Sequence, residues 1–219
     1  MKRGLLIYSG GMDSTCLLYW WKHRIEMCIT FQYGSKHSAR EVEMARKNCI
    51  ALGIKHEVIN IEQIILPYFK SDLLTSGEAI PEGHYEHESM KRTVVPFRNG
   101  IMLSLAAGIA ESNGLHDLLI ANHAGDHAIY PDCRPDFIDM MGKAILRGTY
   151  KNIILMTPFL HFTKRQVALI GQDEKVNFND TWSCYKGETR HCGRCGTCVE
   201  RQEALQGFDP TTYKAEPLF

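Results

Sequence analysis

The chain has 219 residues, 44% of them hydrophobic and 23% charged, a balance typical of a soluble globular domain. Its 25 basic residues match its 25 acidic ones, so no overall positive field favours non-specific binding to nucleic acid. No uninterrupted apolar run reaches the roughly 18 residues of a membrane span, and the apolar start is too short for a signal peptide. These features predict a cytoplasmic protein that acts on a small molecule, without a membrane or direct nucleic-acid contact.

Short apolar runs alternate with helical patterns along the chain, and this alternation predicts an α/β fold. We expect an open, mostly parallel, doubly wound sheet with helices on both faces, and residues 1–219 in one domain. The predicted strands cover residues 4–8, 27–31, 57–61, 117–121 and 153–156. The predicted helices cover residues 14–23, 38–52, 99–112, 135–147 and 164–170, and a glycine or an Asn-Gly pair ends four of them.

The turn after the first predicted strand reads YSGGMDSTCLL and leads directly into the first predicted helix. Two glycines allow the backbone to approach an anion closely, and amide groups at a helix start carry a positive partial charge. Ser9, Asp13 and Ser14 add hydroxyl groups, a carboxylate and a helix cap. The glycine spacing differs from that of Walker and dinucleotide-binding loops, so we interpret the turn as another kind of phosphate loop. The residues assigned to nucleotide binding are Tyr8, Ser9, Gly10, Gly11, Met12, Asp13, Ser14, Thr15, Cys16, Leu17 and Leu18.

Two stretches interrupt the alternation of strands and helices. Residues 71–93 are polar and contain glycine and proline, which predicts a long loop or lid. Near the end of the chain, four cysteines fall within residues 184–198 at CxxC steps, a spacing that suits one tetrahedral zinc ion. Four ligands leave no open coordination position, so the predicted metal is structural, and an iron–sulfur cluster or a redox dithiol are the alternatives. The predicted ligands, in a zinc-binding segment at residues 183–219, are Cys184, Cys192, Cys195 and Cys198.

The loop sequence SGGMDS resembles the SGGxDS loop of the ATP pyrophosphatases, which hold the pyrophosphate released when ATP adenylates a substrate. Five further motifs extend the resemblance over nearly the whole chain, to the 7-cyano-7-deazaguanine synthases of the queuosine pathway. They are FQYGSKH at 31–37, VPFRN at 95–99, YPDCR at 130–134, Thr157-Pro158 with Lys164, and TWSCY at 181–185 before the cysteine cluster.

The resemblance implies an adenine nucleotide alpha hydrolase-like fold with a C-terminal zinc knuckle. It implies an ATP-dependent carbon–nitrogen ligase that converts 7-carboxy-7-deazaguanine and ammonia into 7-cyano-7-deazaguanine. The implied metals are Mg²⁺ and one structural Zn²⁺ per chain, and the implied assembly is a cytoplasmic homodimer. A carboxylate is a poor electrophile with a poor leaving group, so adenylation before attack by ammonia would explain the phosphate loop. A second activation of the resulting amide in the same site would then give the nitrile.

Individual roles follow from the matched motifs. The expected catalytic residues are Asp13, Ser14, Arg98 and Lys164. Asp13 would organise magnesium, unless its carboxylate only caps the first helix. The expected substrate-binding residues are Lys36, His37, Asn99, Asp132 and Arg134. Asp132 would accept the N–H groups of the deazaguanine, and Arg134 would pair with its carboxylate. We interpret Cys133 as a buried structural thiol, and a nucleophile that forms a thioimide is the alternative.

Two positions depart from the family pattern where the substrate would sit. Residues 122–129 read NHAGDHAI in place of an acidic, Ser/Gly-containing segment, and Phe97 stands where a glycine is frequent. His123, Asp126 and His127 could suggest a second metal site, but we interpret the histidines as solvated loop residues.

Three other functions stay open. A related ligase could stop at the amide or use another amine, and the altered segment at residues 122–129 is the hint for it. A tRNA thiolase shares the phosphate loop and a cysteine pair, but we would expect it to carry a basic surface or an added domain. A zinc-ribbon binding module would leave SGGMDS unexplained.

Overall fold

The computed structural model describes residues 3–84 and 87–215, and its centre is a sheet of five parallel strands. The strands are β1 (Gly4–Ile7), β2 (Ile25–Gln32), β3 (Lys55–Asn60), β4 (Asp117–Leu119) and β5 (Ile154–Met156). Their order in the sheet is β3-β2-β1-β4-β5, and every neighbouring pair is parallel. All five predicted strands are confirmed, with ends that move by one or two residues.

The helices include all five that the sequence predicts. They are α1 (Met12–Trp20), α2 (Ser38–Leu52), α3 (Glu62–Ile65), α4 (Arg98–Ser112), α5 (Pro135–Gly148), α6 (Lys164–Asp173) and α7 (Gly196–Ala204). Short 3-10 helices cover Glu88–Thr93, Ala124–Ala128, Pro131–Cys133 and Phe178–Asp180. Gly53 ends α2 in the left-handed conformation with a φ of 62°, as the sequence predicts. The sequence patterns miss α3 and α7, and they end α6 too early.

Helices cover both faces of the sheet because successive strand residues point to opposite sides. Leu5 and Leu118 pack into one cluster with apolar side chains of α4 and α5. Leu6 and Leu119 pack into a second cluster with side chains of α1, α2 and α6. Burial on both faces explains why the strands read as nearly continuous apolar runs. The predicted doubly wound architecture is confirmed.

The strand order places the functional loops together. The chain runs outward from β1 through β2 to β3 and then returns to the other side of β1 to form β4. Such a reversal leaves a crevice at the carboxyl ends of the two central strands, where open α/β sheets bind ligands. The loop after β1 is the phosphate loop, and the loop after β4 carries the YPDCR motif. Both loops therefore border one crevice.

Residues 71–93 form the long connection that the sequence predicts, with the 3-10 helix Glu88–Thr93 at its end. Lys36 holds the first part of this connection, because its Nζ donates to the backbone oxygens of Asp72 at 2.7 Å, Gly77 at 3.1 Å and Glu78. Residues 85 and 86 of the predicted loop, and residues 216–219 of the predicted zinc-binding segment, lie outside the described residues.

One segment of the described chain, Glu88–Ser112, is long and apolar enough to cross a membrane by length and composition alone. Its second half is α4, which packs against β1 and β4. Leu103, Ala106 and Ala110 of this helix are fully buried. The apolar character of α4 is therefore explained by its place in the core.

Candidate active site

A cleft of about 220 Å³ opens at the carboxyl ends of β1, β2 and β4. The predicted site residues that line it are Tyr8, Ser9, Gly11, Met12, Asp13, Ser14, His37, Arg98, Asn99 and Lys164. The predicted site residues outside its lining are Gly10, Thr15, Cys16, Leu17, Leu18, Lys36, Asp132 and Arg134. Residues 15–18 belong to α1 and are fully buried, so their predicted role in nucleotide binding is reduced to supporting the loop.

The phosphate loop is built around the start of α1. The helix begins at Met12 with Gly11 as its N-cap, and no side chain caps it. Ser14 lies in the first turn, where its hydroxyl donates to the Gly11 oxygen at 3.2 Å, so the predicted capping by Ser14 or Asp13 is wrong. Ser9 Oγ accepts from the Gly11 N–H at 3.0 Å and lies 3.1 Å from Ser14 Oγ. Two hydroxyl groups thus stand beside a helix N-terminus, an arrangement that suits phosphate oxygens.

The two glycines of the loop serve different purposes. Gly10 has a φ of 79° and lies against the backbone of α2, where a Cβ would overlap the Glu41 oxygen and lie 2.8 Å from the Ala45 nitrogen. Its own carbonyl accepts from the Trp182 N–H at 3.0 Å. Gly10 therefore permits close packing of the loop, whereas Gly11 lines the cleft. Close approach to an anion stays a prediction for Gly11.

Lys164 forms the centre of a charged cluster beside the loop. Its Nζ lies 3.1 Å from Asp13 Oδ2 and 2.8 Å from Glu200 Oε2. Burial alone would raise the pKa of Asp13, but Lys164 and then His123 outweigh it, and the pKa of Asp13 is lowered. Burial alone would lower the pKa of Lys164, but Asp13 and Glu200 reverse the direction and raise it. At neutral pH Asp13 is therefore an anion and Lys164 a cation.

His123 is buried beside Asp13, so the prediction of a solvated loop histidine is wrong for it. Its Nδ1 accepts from the Gly125 N–H at 3.1 Å, which leaves Nε2 as the ring nitrogen that faces the carboxylates. That Nε2 lies 3.8 Å from Asp13 Oδ2 and 3.8 Å from Asp126 Oδ2. The ring is held there because it caps the short helix Ala124–Ala128.

The donor set at Asp13 fits a magnesium ion. Asp13 Oδ1 is a buried carboxylate oxygen that has no hydrogen-bond partner within residues 3–84 and 87–215. Carboxylates next to phosphate groups are the ligands that Mg²⁺ prefers in proteins. Among the described side chains around Lys164 and His123, the acids Asp13, Asp126 and Glu200 outnumber the single lysine, so the surroundings also favour added positive charge.

Arg98 lies in an aromatic chamber on the other side of the cleft. Its Nη1 donates to Tyr33 Oη at 2.9 Å, and its guanidinium lies 5.4 Å and 5.7 Å from the ring centres of Tyr33 and Tyr130. The hydroxyl groups of Tyr130 and Tyr185 are 2.9 Å apart. Burial raises the pKa of Tyr33 and of Tyr185, so these hydroxyls are neutral near pH 7. We call Tyr33, Arg98, Tyr130 and Tyr185 the aromatic chamber.

His37 and Glu41 complete the chamber from α2 and its N-cap. The His37 ring stacks on Tyr185 with 5.2 Å between ring centres, and its Nε2 lies 3.4 Å from Glu41 Oε2. Burial, followed by Arg98, lowers the pKa of His37 to about 3. Burial raises the pKa of Glu41 to about 8, with Arg98 opposing it. Both side chains line the cleft in uncharged form at neutral pH.

The YPDCR motif supports the cleft from outside. Asp132 is buried and accepts from the Asn99 N–H at 2.7 Å, so it satisfies the first turn of α4. Asn99 Nδ2 donates to Cys133 Sγ at 3.0 Å. Arg134 is exposed and donates to the His127 oxygen at 3.0 Å. The predicted contact of Asp132 and Arg134 with the substrate is not supported by this placement, because the carboxylate is already engaged and the guanidinium lies outside the cleft lining.

Burial raises the pKa of the Cys133 thiol well above its usual value, so it stays protonated near pH 7. It is buried and lines the cleft. A protonated thiol is a poor nucleophile. This environment favours the structural interpretation of Cys133 over the thioimide alternative.

The four predicted metal ligands come together in one group. Within the described ranges, the buried thiols of Cys184, Cys192, Cys195 and Cys198 are the side chains at metal-site spacing, with all sulfur atoms within 4.8 Å of one another. Cys192 Sγ and Cys198 Sγ are 3.8 Å apart, close to the ~3.8 Å edge of a tetrahedron with zinc–sulfur distances of ~2.3 Å. The N–H of Cys195 points at Cys192 Sγ at 3.2 Å. This donor set could hold one metal ion such as zinc.

The cysteine cluster is tied directly to the phosphate loop. Helix α7 begins next to Cys195 and carries Arg201, which is fully buried. Arg201 donates to the Phe178 oxygen at 2.7 Å and to Thr181 Oγ1 at 2.8 Å. These bonds fix the segment of chain that includes Trp182, whose N–H reaches Gly10. The preceding residue of α7, Glu200, reaches Lys164 in the charged cluster.

Several cleft residues are missed by the sequence analysis. Glu41 lies four positions after His37 on α2, and this helical spacing is the signal that could have found it. Glu200 carries no such signal, because long-range packing alone brings it to Lys164. Asn122 begins the segment 122–129 that the sequence analysis places near the substrate, and its Oδ1 is a buried acceptor at the edge of the cleft without a hydrogen-bond partner among the described residues.

Residues 3–209 match the family model described as Queuosine biosynthesis protein QueC. The chain belongs to the QueC family. Proteins named 7-cyano-7-deazaguanine synthase are similar to this QueC-family chain over nearly its whole length. The one from Porphyromonas gingivalis is 52% identical over 216 residues, which cover 97% of this chain and 98% of that protein. The one from Desulfotalea psychrophila is 46% identical over 218 residues, which cover 97% of this chain and 99% of that protein.

A solved structure has the same architecture as this QueC-family chain. NMN synthetase from Francisella tularensis superposes with a TM-score of 0.51 at 12% identity, over 96% of this chain and 79% of that chain. Identity this low shows a common fold and nothing finer. The predicted open parallel α/β fold, with a cysteine cluster at its C-terminal end, is confirmed.

Proposed function

We propose that this chain is an ATP-dependent ligase that converts 7-carboxy-7-deazaguanine and ammonia into 7-cyano-7-deazaguanine. One observation carries the proposal: in a QueC-family chain, the phosphate loop opens into the same cleft as an arginine in an aromatic chamber. The relatives over the full length bear the name of this synthase. The two ends of the cleft thus suit the two molecules that an adenylation reaction must join.

The first half of the reaction makes an amide. A carboxylate oxygen of the acid attacks the α-phosphorus of ATP, and the bond to the β-phosphate oxygen breaks to release pyrophosphate. The loop N–H groups with Ser9 and Ser14 would receive that pyrophosphate, because they stand at the positive end of α1. Ammonia then attacks the acyl carbon, and AMP leaves with the former carboxylate oxygen while nitrogen loses one proton.

The second half makes the nitrile in the same site. The amide oxygen attacks the α-phosphorus of a second ATP, and pyrophosphate leaves again. AMP then departs with the amide oxygen as nitrogen loses two protons, and the carbon–nitrogen triple bond forms. Lys164 remains cationic between Asp13 and Glu200, so it is suited to stabilise phosphate charge in both steps.

Two metals accompany this proposal. Asp13 would hold Mg²⁺, which neutralises pyrophosphate charge when bound. The four cysteines would hold one structural Zn²⁺, because four sulfur ligands close the coordination sphere. We also propose a cytoplasmic homodimer and one domain over residues 1–219, on the strength of the family resemblance.

The experiment is mass spectrometry of products from purified protein with 7-carboxy-7-deazaguanine, ATP, Mg²⁺ and ammonium. We expect 7-cyano-7-deazaguanine and AMP, and a drop of about a hundredfold or more in rate for Asp13→Asn. Asp139→Asn is the control, because Asp139 forms an exposed pair with Lys143 outside the cleft lining. An amide as the final product, or ADP in place of AMP, would refute the proposal.

A further inference from the structure

The aromatic chamber contains a cation without an acidic partner. Among the described residues, no carboxylate forms an ion pair with Arg98, and its hydrogen bond goes to the neutral Tyr33 hydroxyl. A guanidinium that is largely removed from water is costly unless an anion compensates for it. Arg98 opens into the cleft, so a ligand can supply that anion.

Beside the chamber lies an acid that forms no ion pair with a lysine or an arginine in the described part of the chain. Glu41 is mostly buried, its Oε2 lies 3.4 Å from Nε2 of the neutral His37 ring, and the charge of Arg98 acts on it only from a distance. Glu41 and Arg98 face the same cleft but do not pair with each other. The described part of the cleft therefore offers one cation and one acid that form no ion pair with each other, with aromatic rings beside them.

We infer that Arg98 binds the carboxylate of the deazaguanine acid and that Glu41 binds the N–H edge of its ring. This inference rests on the proposed function and names the residues that would select its substrate. A planar guanidinium matches a carboxylate with two parallel hydrogen bonds, and the ionised form of Glu41 would accept neighbouring ring and amino N–H groups in the same way. Those two donors would lower the raised pKa of Glu41 and so favour its ionised form in the complex. The rings of Tyr33, Tyr130 and Tyr185 offer flat apolar surface to a bicyclic base.

A phosphate group is the other anion that Arg98 could meet. The phosphate loop has its own positive groups in the N-terminus of α1 and Lys164, whereas the chamber has Arg98 alone. The chamber is also walled by aromatic rings, which suit a base better than a phosphate chain. These features favour the carboxylate.

The two contacts would have different lifetimes in the reaction. The acid loses its charge when it becomes the amide, so the contact with Arg98 weakens after the first half. The N–H edge of the ring does not change, so Glu41 can keep the amide in place for the second activation. Arg98 would therefore select the acid, and Glu41 would retain every intermediate.

Calorimetric titration of the full chain tests this assignment with three probes: 7-carboxy-7-deazaguanine, its neutral 7-carboxamide, and pyrophosphate with Mg²⁺. For Arg98→Gln we expect about a hundredfold weaker binding of the acid, with the carboxamide and pyrophosphate changed by less than about threefold. For Glu41→Gln we expect about tenfold weaker binding of both the acid and the carboxamide. Arg147→Gln is the matched control and should bind all three probes like wild type, because Arg147 is exposed on α5 and lies outside the cleft lining.

Arg98→Lys keeps the charge without the planar fork, and it replaces Arg98→Gln if that variant does not fold. We expect it to lose at least about fivefold in affinity for the acid. Equal binding of the acid by wild type and both Arg98 variants would overturn the inference and leave the proposed function standing. Loss of pyrophosphate binding together with acid binding would overturn it in favour of a phosphate site. A wild-type chain that binds neither the acid nor the carboxamide would overturn the proposed function itself.

Discussion

Replacement of Gly10 by alanine tests what the first glycine of the phosphate loop does. The residue has a φ of 79°, and a Cβ would meet the backbone of α2 at the Glu41 oxygen and the Ala45 nitrogen. Neither atom belongs to a flexible side chain, so α2 itself must shift. If the glycine served only to admit phosphate, Gly10→Ala would lose activity but no more stability than the left-handed conformation itself costs an alanine.

The expected loss of stability has two parts. An alanine in the left-handed conformation costs about 1 kcal/mol, and forcing an extra methyl group against a packed backbone costs about 2 kcal/mol more. Gly53 provides the matched control, because it has a φ of 62° but no heavy atom within 4 Å of the position that a Cβ would take. Gly53→Ala should therefore lose only the first part, about 1 kcal/mol.

Denaturant and thermal unfolding of Gly10→Ala and Gly53→Ala, without ligands, measure the cost of the left-handed conformation and the cost of the steric overlap. In a chain of this size each 1 kcal/mol lowers the melting temperature by about 3 °C, so we expect decreases of about 9 °C and about 3 °C. A Gly10→Ala variant that is as stable as Gly53→Ala would refute the packing role. The shift of α2 should also weaken acid binding, since α2 carries Glu41.

Four further outcomes follow from the site. Cys195→Ser should lose bound metal and stability together, because metal binding at such clusters contributes to folding, and metal analysis alongside thermal unfolding checks this. Cys133→Ala should keep its metal and most of its activity, since its neutral thiol is not needed as a nucleophile; a folded but inactive variant would reinstate covalent catalysis. Glu200→Gln should lower the turnover rate about tenfold at unchanged metal content, because Lys164 loses one of the two carboxylates that position it. A tenfold decrease corresponds to about 1.4 kcal/mol in activation free energy. The wild type should become less stable as pH rises from about 4.5 to about 8, and Glu41→Gln should not. The reason is that burial raises the pKa of Glu41 to about 8 in the folded state, so its ionisation within this pH range opposes folding. Unfolding curves that keep the same slope against pH in Glu41→Gln would contradict the last expectation.

The fold could be predicted from local patterns because each strand is an apolar run between turn signals. The errors arise where a residue's role is set by a distant neighbour. Gly171 looks like a helix end, but α6 continues to Asp173, since a Cβ at Gly171 would overlap Cys16 and the glycine is needed for packing. Helix α7 is missed because its start lies inside the cysteine cluster, where glycine and cysteine hide the helical period.

The site could be predicted only in part for the same reason. The phosphate loop and the metal cluster are continuous motifs, so local spacing identifies them. From the sequence, we expect the acid and the arginine that recognise the deazaguanine to be Asp132 and Arg134 of the YPDCR motif. In the structure, the Asp132 carboxylate instead accepts from the first turn of α4. The acid and the cation that we infer to bind the substrate are Glu41 and Arg98, which lie on different helices far apart in the chain. No local pattern encodes which polar groups remain unmatched after folding.

A structural metal can control the chemistry of this cleft without touching a reactant. The cysteine cluster sets the start of α7, and two adjacent residues of that helix then point to different places. Arg201 turns into the core and holds the segment that reaches Gly10, while Glu200 turns to the charged cluster and pairs with Lys164. Helix α7 therefore helps to position the phosphate loop at Gly10, through the segment that includes Trp182, and at Asp13, through Lys164. The first turn of α7 in turn depends on the cysteine cluster. We therefore expect loss of a metal held by these cysteines to disorder the loop and the charged cluster together. Inactivity of a metal-free chain would then not by itself be a sign that the metal takes part in the reaction.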